Sequence, residues 1–77
     1  MDKTVKTFAK NKFQEIRVGV KEFRGNDLVD IRIWTQTQFS EDKVPTTKGV
    51  SFNVSLFPEF KEAVLKLEET LKENRLL

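Results

Sequence analysis

Cysteine, histidine and tyrosine are absent from this 77-residue chain. Without cysteine there is no disulfide and no thiol nucleophile. Without histidine the commonest transition-metal ligand and the usual near-neutral general base are both missing. Glycine is scarce, and Gly19, Gly25 and Gly49 lie too far apart to cradle a phosphate. The remaining Ser, Thr, Asp, Glu and Lys residues fall in no nucleophile elbow or Walker-type loop. An all-carboxylate cation site would need a spaced acidic loop, which the sequence does not offer. The chain therefore reads as a non-enzymatic module without metal or cofactor. No run approaches the roughly 20 apolar residues of a membrane span. Asp2-Lys3-Thr4-Val5-Lys6 leads into no apolar segment of a secretory signal. An intracellular protein without membrane association is expected. A chain of this length forms one domain, and a domain so small buries only about 60% of its unfolded surface. Such domains usually add a staple. With disulfides and metals removed, a partner subunit is the staple left.

The formal charge is only +2, so its distribution says more than its size. Residues 1–12 carry Lys3, Lys6, Lys10 and Lys12 against Asp2, residues 13–53 balance six basic against six acidic side chains, and residues 54–77 are slightly acidic. The excess positive charge sits at the start. Residues 1–11, polar and weakly periodic, are expected to be a basic flexible arm ahead of one domain over 12–77. The arm's lysines would serve equally as a solubilising tail or as added affinity for a polyanion.

From Phe13 to Phe23 the pattern changes. Ile16, Val18 and Val20 alternate with Glu15, Arg17, Gly19 and Lys21, the period of a half-buried strand. Phe13 and Phe23 fall in phase with the polar set. Arg24-Gly25-Asn26-Asp27 predicts a hairpin turn. A second strand over Leu28–Gln38 places Val29, Ile31 and Ile33 on one face and Asp30, Arg32 and Trp34 on the other, unless a bulge near Trp34 inverts the phase. Ser40–Lys48, with Pro45 and mixed charge, reads as a loop, and Gly49–Asn53 as a last short strand. Residues 54–74 form the only strong helix, with Phe57, Phe60, Val64, Leu67 and Leu71 at spacings of three and four. Ser55 is the favoured cap, because it puts Pro58 in the first turn, and residues 73–75 are expected to fray. The fold class is α+β: a four-stranded, curved antiparallel sheet, if the second run bends into two strands, followed by one C-terminal helix, as a dimer.

Two constellations carry function. Arg17, Lys21, Phe23, Arg32 and Trp34 share the outward face of the sheet by strand parity. Cations neutralise phosphates, and rings stack on exposed bases whatever their identity. Duplex DNA hides its bases, so outward rings suit an unpaired strand. On pattern alone the plainer reading is that the same rings cover an apolar patch or a second small core, with the cations as a solvated face. The helix stripe Phe57, Phe60, Val64, Leu67 and Leu71 would dock on the chain's own sheet or on a partner subunit. Lys43 and Lys48, in the expected loop, would extend a phosphate track where that loop flanks the face.

Lys21-Glu22-Phe23-Arg24-Gly25-Asn26-Asp27-Leu28-Val29-Asp30-Ile31-Arg32 and Lys48-Gly49-Val50-Ser51-Phe52-Asn53 resemble the C-terminal domain of the transcriptional positive coactivator four family. The resemblance spans roughly Phe13 to Leu67. It implies a dimer whose paired sheets form a groove for single-stranded DNA or melted duplex. It also implies that Phe23 stacks on a base, that Arg24 and Lys48 meet phosphates, and that Arg32 lies on the binding face. The family's stacking tryptophan falls one position away from Trp34, so Trp34 would need a bulge or a register change. A first-strand basic position falls on Ile16 with Arg17 next to it, a hairpin cation is replaced by Asn26, and a loop lysine by Val44 beside Lys43. A serine-rich regulatory region is missing, which points to a compact bacterial or phage-type member. Single-stranded DNA is the expected partner, with transcription or replication proteins as further ones. The expected site is the bacterial or infected-host cytoplasm, or the nucleus of a eukaryote. A protein-interaction adaptor and an RNA-binding protein using the same face are the alternatives.

Overall fold

A computed structural model describes all 77 residues. Four strands, β1 (Lys3–Ala9), β2 (Gln14–Phe23), β3 (Asn26–Thr37) and β4 (Ser40–Asn53), form one antiparallel meander in that spatial order. A 3-10 turn, Val54–Leu56, leads into a single helix, α1 (Phe57–Glu73). The expected architecture of a four-stranded antiparallel sheet and a C-terminal helix is what forms, but the second run stays one strand, β3, and the fourth strand is β1, while β4 also takes in the segment expected to be a loop.

The lysine-rich start is a paired strand, not a free arm: β1 runs along β2 from Lys3 opposite Val20 to Ala9 opposite Glu15. Its ladder shifts between Thr4 and Lys6, so Val5 interrupts the alternation that would mark a strand in the sequence. Gly19 faces this irregularity, and a Cβ there would lie 2.3 Å from the Lys3 carbonyl oxygen. Only glycine lets the two backbones approach so closely. The expected loop over residues 40–48 is the first part of β4. Pro45 is tolerated there because β4 is an edge strand and its missing N–H costs no ladder bond.

The β2–β3 turn is tighter than expected. Only Arg24 and Gly25 are unpaired, at φ 52° and 79°. Positive φ at both central residues is the type I′ geometry that matches strand twist. Asn53 caps the 3-10 turn by accepting the Ser55 N–H at 2.9 Å. That extra turn places Pro58 inside the first turn of α1 without Ser55 as cap. The helix end does not fray. Leu76 N–H donates to the Leu71 carbonyl at 2.8 Å and Arg75 N–H to that of Lys72 at 3.1 Å, with Arg75 at φ 57°. This is a Schellman closure with arginine in the usual glycine place.

The aliphatic face carries Ile16, Val18, Val20, Val29, Ile31, Ile33, Val50 and Phe52. The helix does not lie across it. Phe52 and Phe60 meet at 5.2 Å between ring centroids, but Phe57, Val64 and Leu67 stay about half exposed, while Phe60 and Leu71 are intermediate. No residue of the chain is buried. The radius of gyration, 14.7 Å, exceeds the roughly 11.5 Å of a compact chain of this length. The isolated chain thus has a sheet face and a helix stripe but no closed core between them.

Candidate nucleic-acid interface

Residues directly opposite in an antiparallel ladder share a face. The β2–β3 register pairs Glu15 with Trp34, Arg17 with Arg32, Gly19 with Asp30, Lys21 with Leu28 and Phe23 with Asn26. The β3–β4 register adds Ser51 opposite Asp30, Gly49 opposite Arg32, Pro45 opposite Trp34 and Lys43 opposite Gln36. One face of the sheet therefore holds Arg17, Lys21, Phe23, Arg32, Trp34 and Lys43 together. Trp34 lies on this face without any inversion in its own strand. The irregularity sits across from it in β4, between the partners of Arg32 and Trp34.

Arg17 and Arg32 oppose each other directly, a like-charge pair that would be unfavourable alone. Two carboxylates on the same face offset it. Glu15 accepts from Arg17 Nε at 2.9 Å and meets Lys43 Nζ at 3.2 Å. Asp30 accepts from Arg32 Nη2 at 2.9 Å, meets Lys21 Nζ at 3.4 Å and takes the Ser51 hydroxyl. Donation from Arg17, helped by Lys43 and opposed by desolvation, holds the Glu15 carboxyl below its ordinary range. At Asp30 desolvation pushes upward, but donation from Arg32 and Ser51 outweighs it and the carboxyl is again lowered. Four cations against two carboxylates leave this patch at +2.

The aromatic members are presented differently. The Arg17 guanidinium lies 3.9 Å from the centroid of the Trp34 ring. Phe23 ends β2 on the same face, 54% exposed, with the Arg24 guanidinium 5.1 Å from its centroid. Phe23 and the Trp34 row are eight residues apart along β2, roughly 26 Å. Between them Thr4, Arg17, Gly19, Lys21 and Asp30 line an open depression. Arg32 is more constrained than parity alone suggests, since Nη1 also donates to the Thr46 carbonyl at 2.9 Å and Nη2 to Ser51 Oγ at 3.1 Å.

Lys48 makes none of these ion pairs and, in the irregular part of β4, borders a depression lined by Arg32 as well as by Ile16, Ile31, Ile33 and Val50. The helix residues Phe57, Phe60, Val64, Leu67 and Leu71 are away from the cationic face. Phe57 lines an apolar depression with Val18, Val20, Val29 and Val54, and Phe60 another with Val50, Phe52 and Leu56. Glu15 and Asp30 are not among the candidate residues of the sequence, although strand parity places both among the cations. No group of acidic side chains is arranged to hold a metal, and no helix is long and apolar enough to cross a membrane.

Comparison with known proteins adds to this geometry. The sequence model of the family described as Transcriptional Coactivator p15 (PC4) matches residues 10–63. No curated protein sequence matches the chain. Among solved structures, a PC4 homologue from Burkholderia pseudomallei is 28% identical, with a TM-score of 0.76 over 87% of this chain and 89% of that one. A bacteriophage T5 homologue of the eukaryotic coactivator PC4, implicated in recombination-dependent DNA replication, is 26% identical, with a TM-score of 0.69 over 99% of this chain and 83% of that one. MoSub1 in complex with single-stranded DNA shares the fold at 20% identity, with a TM-score of 0.66 over 88% of this chain and 77% of that one.

Proposed function

The chain belongs to the transcriptional coactivator p15 (PC4) family, and from that premise we propose that it binds single-stranded DNA and melted duplex, with little sequence preference, on the cationic face of the sheet. The observation that carries this reading is the gathering of Arg17, Lys21, Arg32 and Lys43 with Trp34 on one face that the helix leaves open. A phosphate chain lying across β2 and β3 replaces its counterions with these side chains. Unpaired bases reach Phe23 at one end and the Trp34–Arg17 stack at the other. Neither ring reads base edges, so discrimination between bases is weak. Arg24 supplies a phosphate contact at the hairpin tip. Lys48 belongs to this track only where a strand passes over the edge of β4.

Homodimerisation belongs to the same reading. The aliphatic sheet face and the stripe of α1 are both incompletely covered in one chain, and no residue is buried. A second copy closing over Phe57, Phe60, Val64, Leu67 and Leu71 supplies the missing core and sets two cationic sheets side by side. The protein is then a binding module and not a catalyst, acting on exposed strands inside the cell during transcription, or during replication and recombination as implicated for the phage T5 homologue.

Titration of labelled oligo-dT, followed by anisotropy at several salt concentrations, tests the proposal. Four cations engaged per sheet give a slope of log K against log salt of about −2.8, or about a 50-fold loss between 50 and 200 mM salt. Absence of binding, or binding indifferent to salt, would refute it, and capture of a protein in place of DNA would favour an adaptor. Tighter competition by a matched RNA oligomer would transfer the same face to RNA.

A further inference from the structure

We propose that Phe13 and Lys12, in the β1–β2 turn, form a further nucleotide position that takes the base and phosphate next along the strand beyond Trp34. This rests on the single-strand reading above and extends its track to a segment outside it. The Phe13 carbonyl accepts the Gln36 N–H at 3.0 Å, which continues the β2–β3 ladder one residue past Gln14 and Thr35. Phe13 is thereby placed opposite Gln36, in phase with Glu15 and Arg17, on the cationic face. The turn that holds it is fixed. Asn11 Oδ1 accepts the N–H groups of Phe13 and Gln14 at 3.0 and 2.9 Å, and the N–H groups of Lys10 and Asn11 return to the Gln14 carbonyl.

The ring is 57% exposed and the Lys12 ammonium lies 5.6 Å from its centroid. The molecule's cation–ring pairs are Arg17 with Trp34, Arg24 with Phe23 and Lys12 with Phe13, and ladder register puts all three rings on one face. Phe13 and Trp34 are diagonal neighbours across β2 and β3, a separation of about 7–8 Å. That is within reach of adjoining nucleotides of an extended strand, one base on each ring, with Lys12 at the phosphate of the outer one. Phe39, at 89% exposure on the β3–β4 turn, is more accessible but carries no cation. It serves as the control.

The test is oligo-dT binding by Phe13→Ala, Phe13→Leu, Lys12→Ala and Phe39→Ala, with far-UV circular dichroism confirming the sheet in each. Loss of one stacked base corresponds to about five-fold weaker binding or more. Both Phe13 variants should show it, because leucine keeps apolar bulk without a ring face. Lys12→Ala should make the salt slope shallower by about 0.7, and Phe39→Ala should bind as the parent does. Parent-like affinity in both Phe13 variants, with an unchanged slope for Lys12→Ala, overturns the assignment while leaving the single-strand reading intact. A parent protein that binds no oligo-dT would instead remove that reading first.

Discussion

Replacing Arg32 with alanine separates the hydrogen bonds it makes within the sheet from the phosphate contact proposed for it. A guanidinium has five N–H donors. Four are engaged: Nε and Nη2 to Asp30, a second Nη2 hydrogen to Ser51 Oγ, and Nη1 to the Thr46 carbonyl. One donor and the charge remain for a phosphate. The side chain is only 18% exposed, so its loss leaves Asp30 with Lys21 and Ser51 and leaves the Thr46 carbonyl without this donor. Charge-assisted hydrogen bonds contribute on the order of 1.5–3 kcal/mol, and the residual partners of Asp30 recover part of this. A net cost of about 1.5 kcal/mol corresponds to a fall of roughly 6–12 °C in Tm for a domain of this size. The lost phosphate contact corresponds to about five-fold weaker oligo-dT binding at 0.1 M salt and a slope shallower by about 0.7. Arg32→Lys keeps the charge without spanning the acceptors, so it should retain the slope and lose the stability. Thermal melts by circular dichroism and anisotropy titrations of both variants read these outcomes. An Arg32→Ala protein that melts with the parent would refute the scaffold role. One that binds with the parent's affinity and slope would refute the phosphate contact.

Two further outcomes follow from the same face and from the helix. Glu15 and Asp30 titrate below their ordinary values of 4.5 and 3.8, so the stability they add is complete above those values and disappears as pH falls through the lower folded ones. The urea midpoint should hold steady from pH 7 to about 5 and drop below about 4, and a Glu15→Gln, Asp30→Asn double variant should show a smaller drop; an equal drop would assign acid sensitivity to other carboxylates. Leu67, 56% exposed on α1, should become a charged obstacle to subunit pairing as Leu67→Glu, shifting the sedimentation mass from about 18 kDa, twice the 9.0 kDa chain, toward the single chain, whereas an unchanged mass would place the subunit contact elsewhere.

The central hairpin was legible in the sequence because strict alternation survives along it. Ile16, Val18 and Val20 facing away from Arg17 and Lys21, and Ile31 and Ile33 facing away from Arg32 and Trp34, follow from period two alone. The edges were not legible for physical reasons. In β1 the ladder slips beside Val5, so apolar and polar residues lose their phase, and the lysines that protect an edge strand from mispairing look like a solvated tail. In β4 Pro45 argues for a loop unless the strand is known to be an edge. The place of Lys48 is expected from the loop and from the family resemblance, and neither carries the register of the irregular stretch of β4 in which it falls. The helix stripe was visible, but whether it covers its own sheet depends on the direction α1 takes after the 3-10 turn, which periodicity does not encode. The pairs Arg17–Glu15 and Arg32–Asp30 lie two residues apart in one strand, but Lys21–Asp30 and Lys43–Glu15 depend on cross-strand register, which between β2 and β3 is set by a two-residue turn shorter than the one expected.

Trp34 is the only tryptophan and stands on the proposed contact surface, opposite Glu15 and toward the end of the track away from Phe23. Its emission, recorded during a low-salt oligo-dT titration whose binding is followed independently by anisotropy, tests most directly where the strand lies. Saturable quenching that tracks the anisotropy change and is reversed by added salt is the predicted result. Saturable anisotropy with Trp34 emission unchanged throughout would place the DNA on another surface and contradict the account.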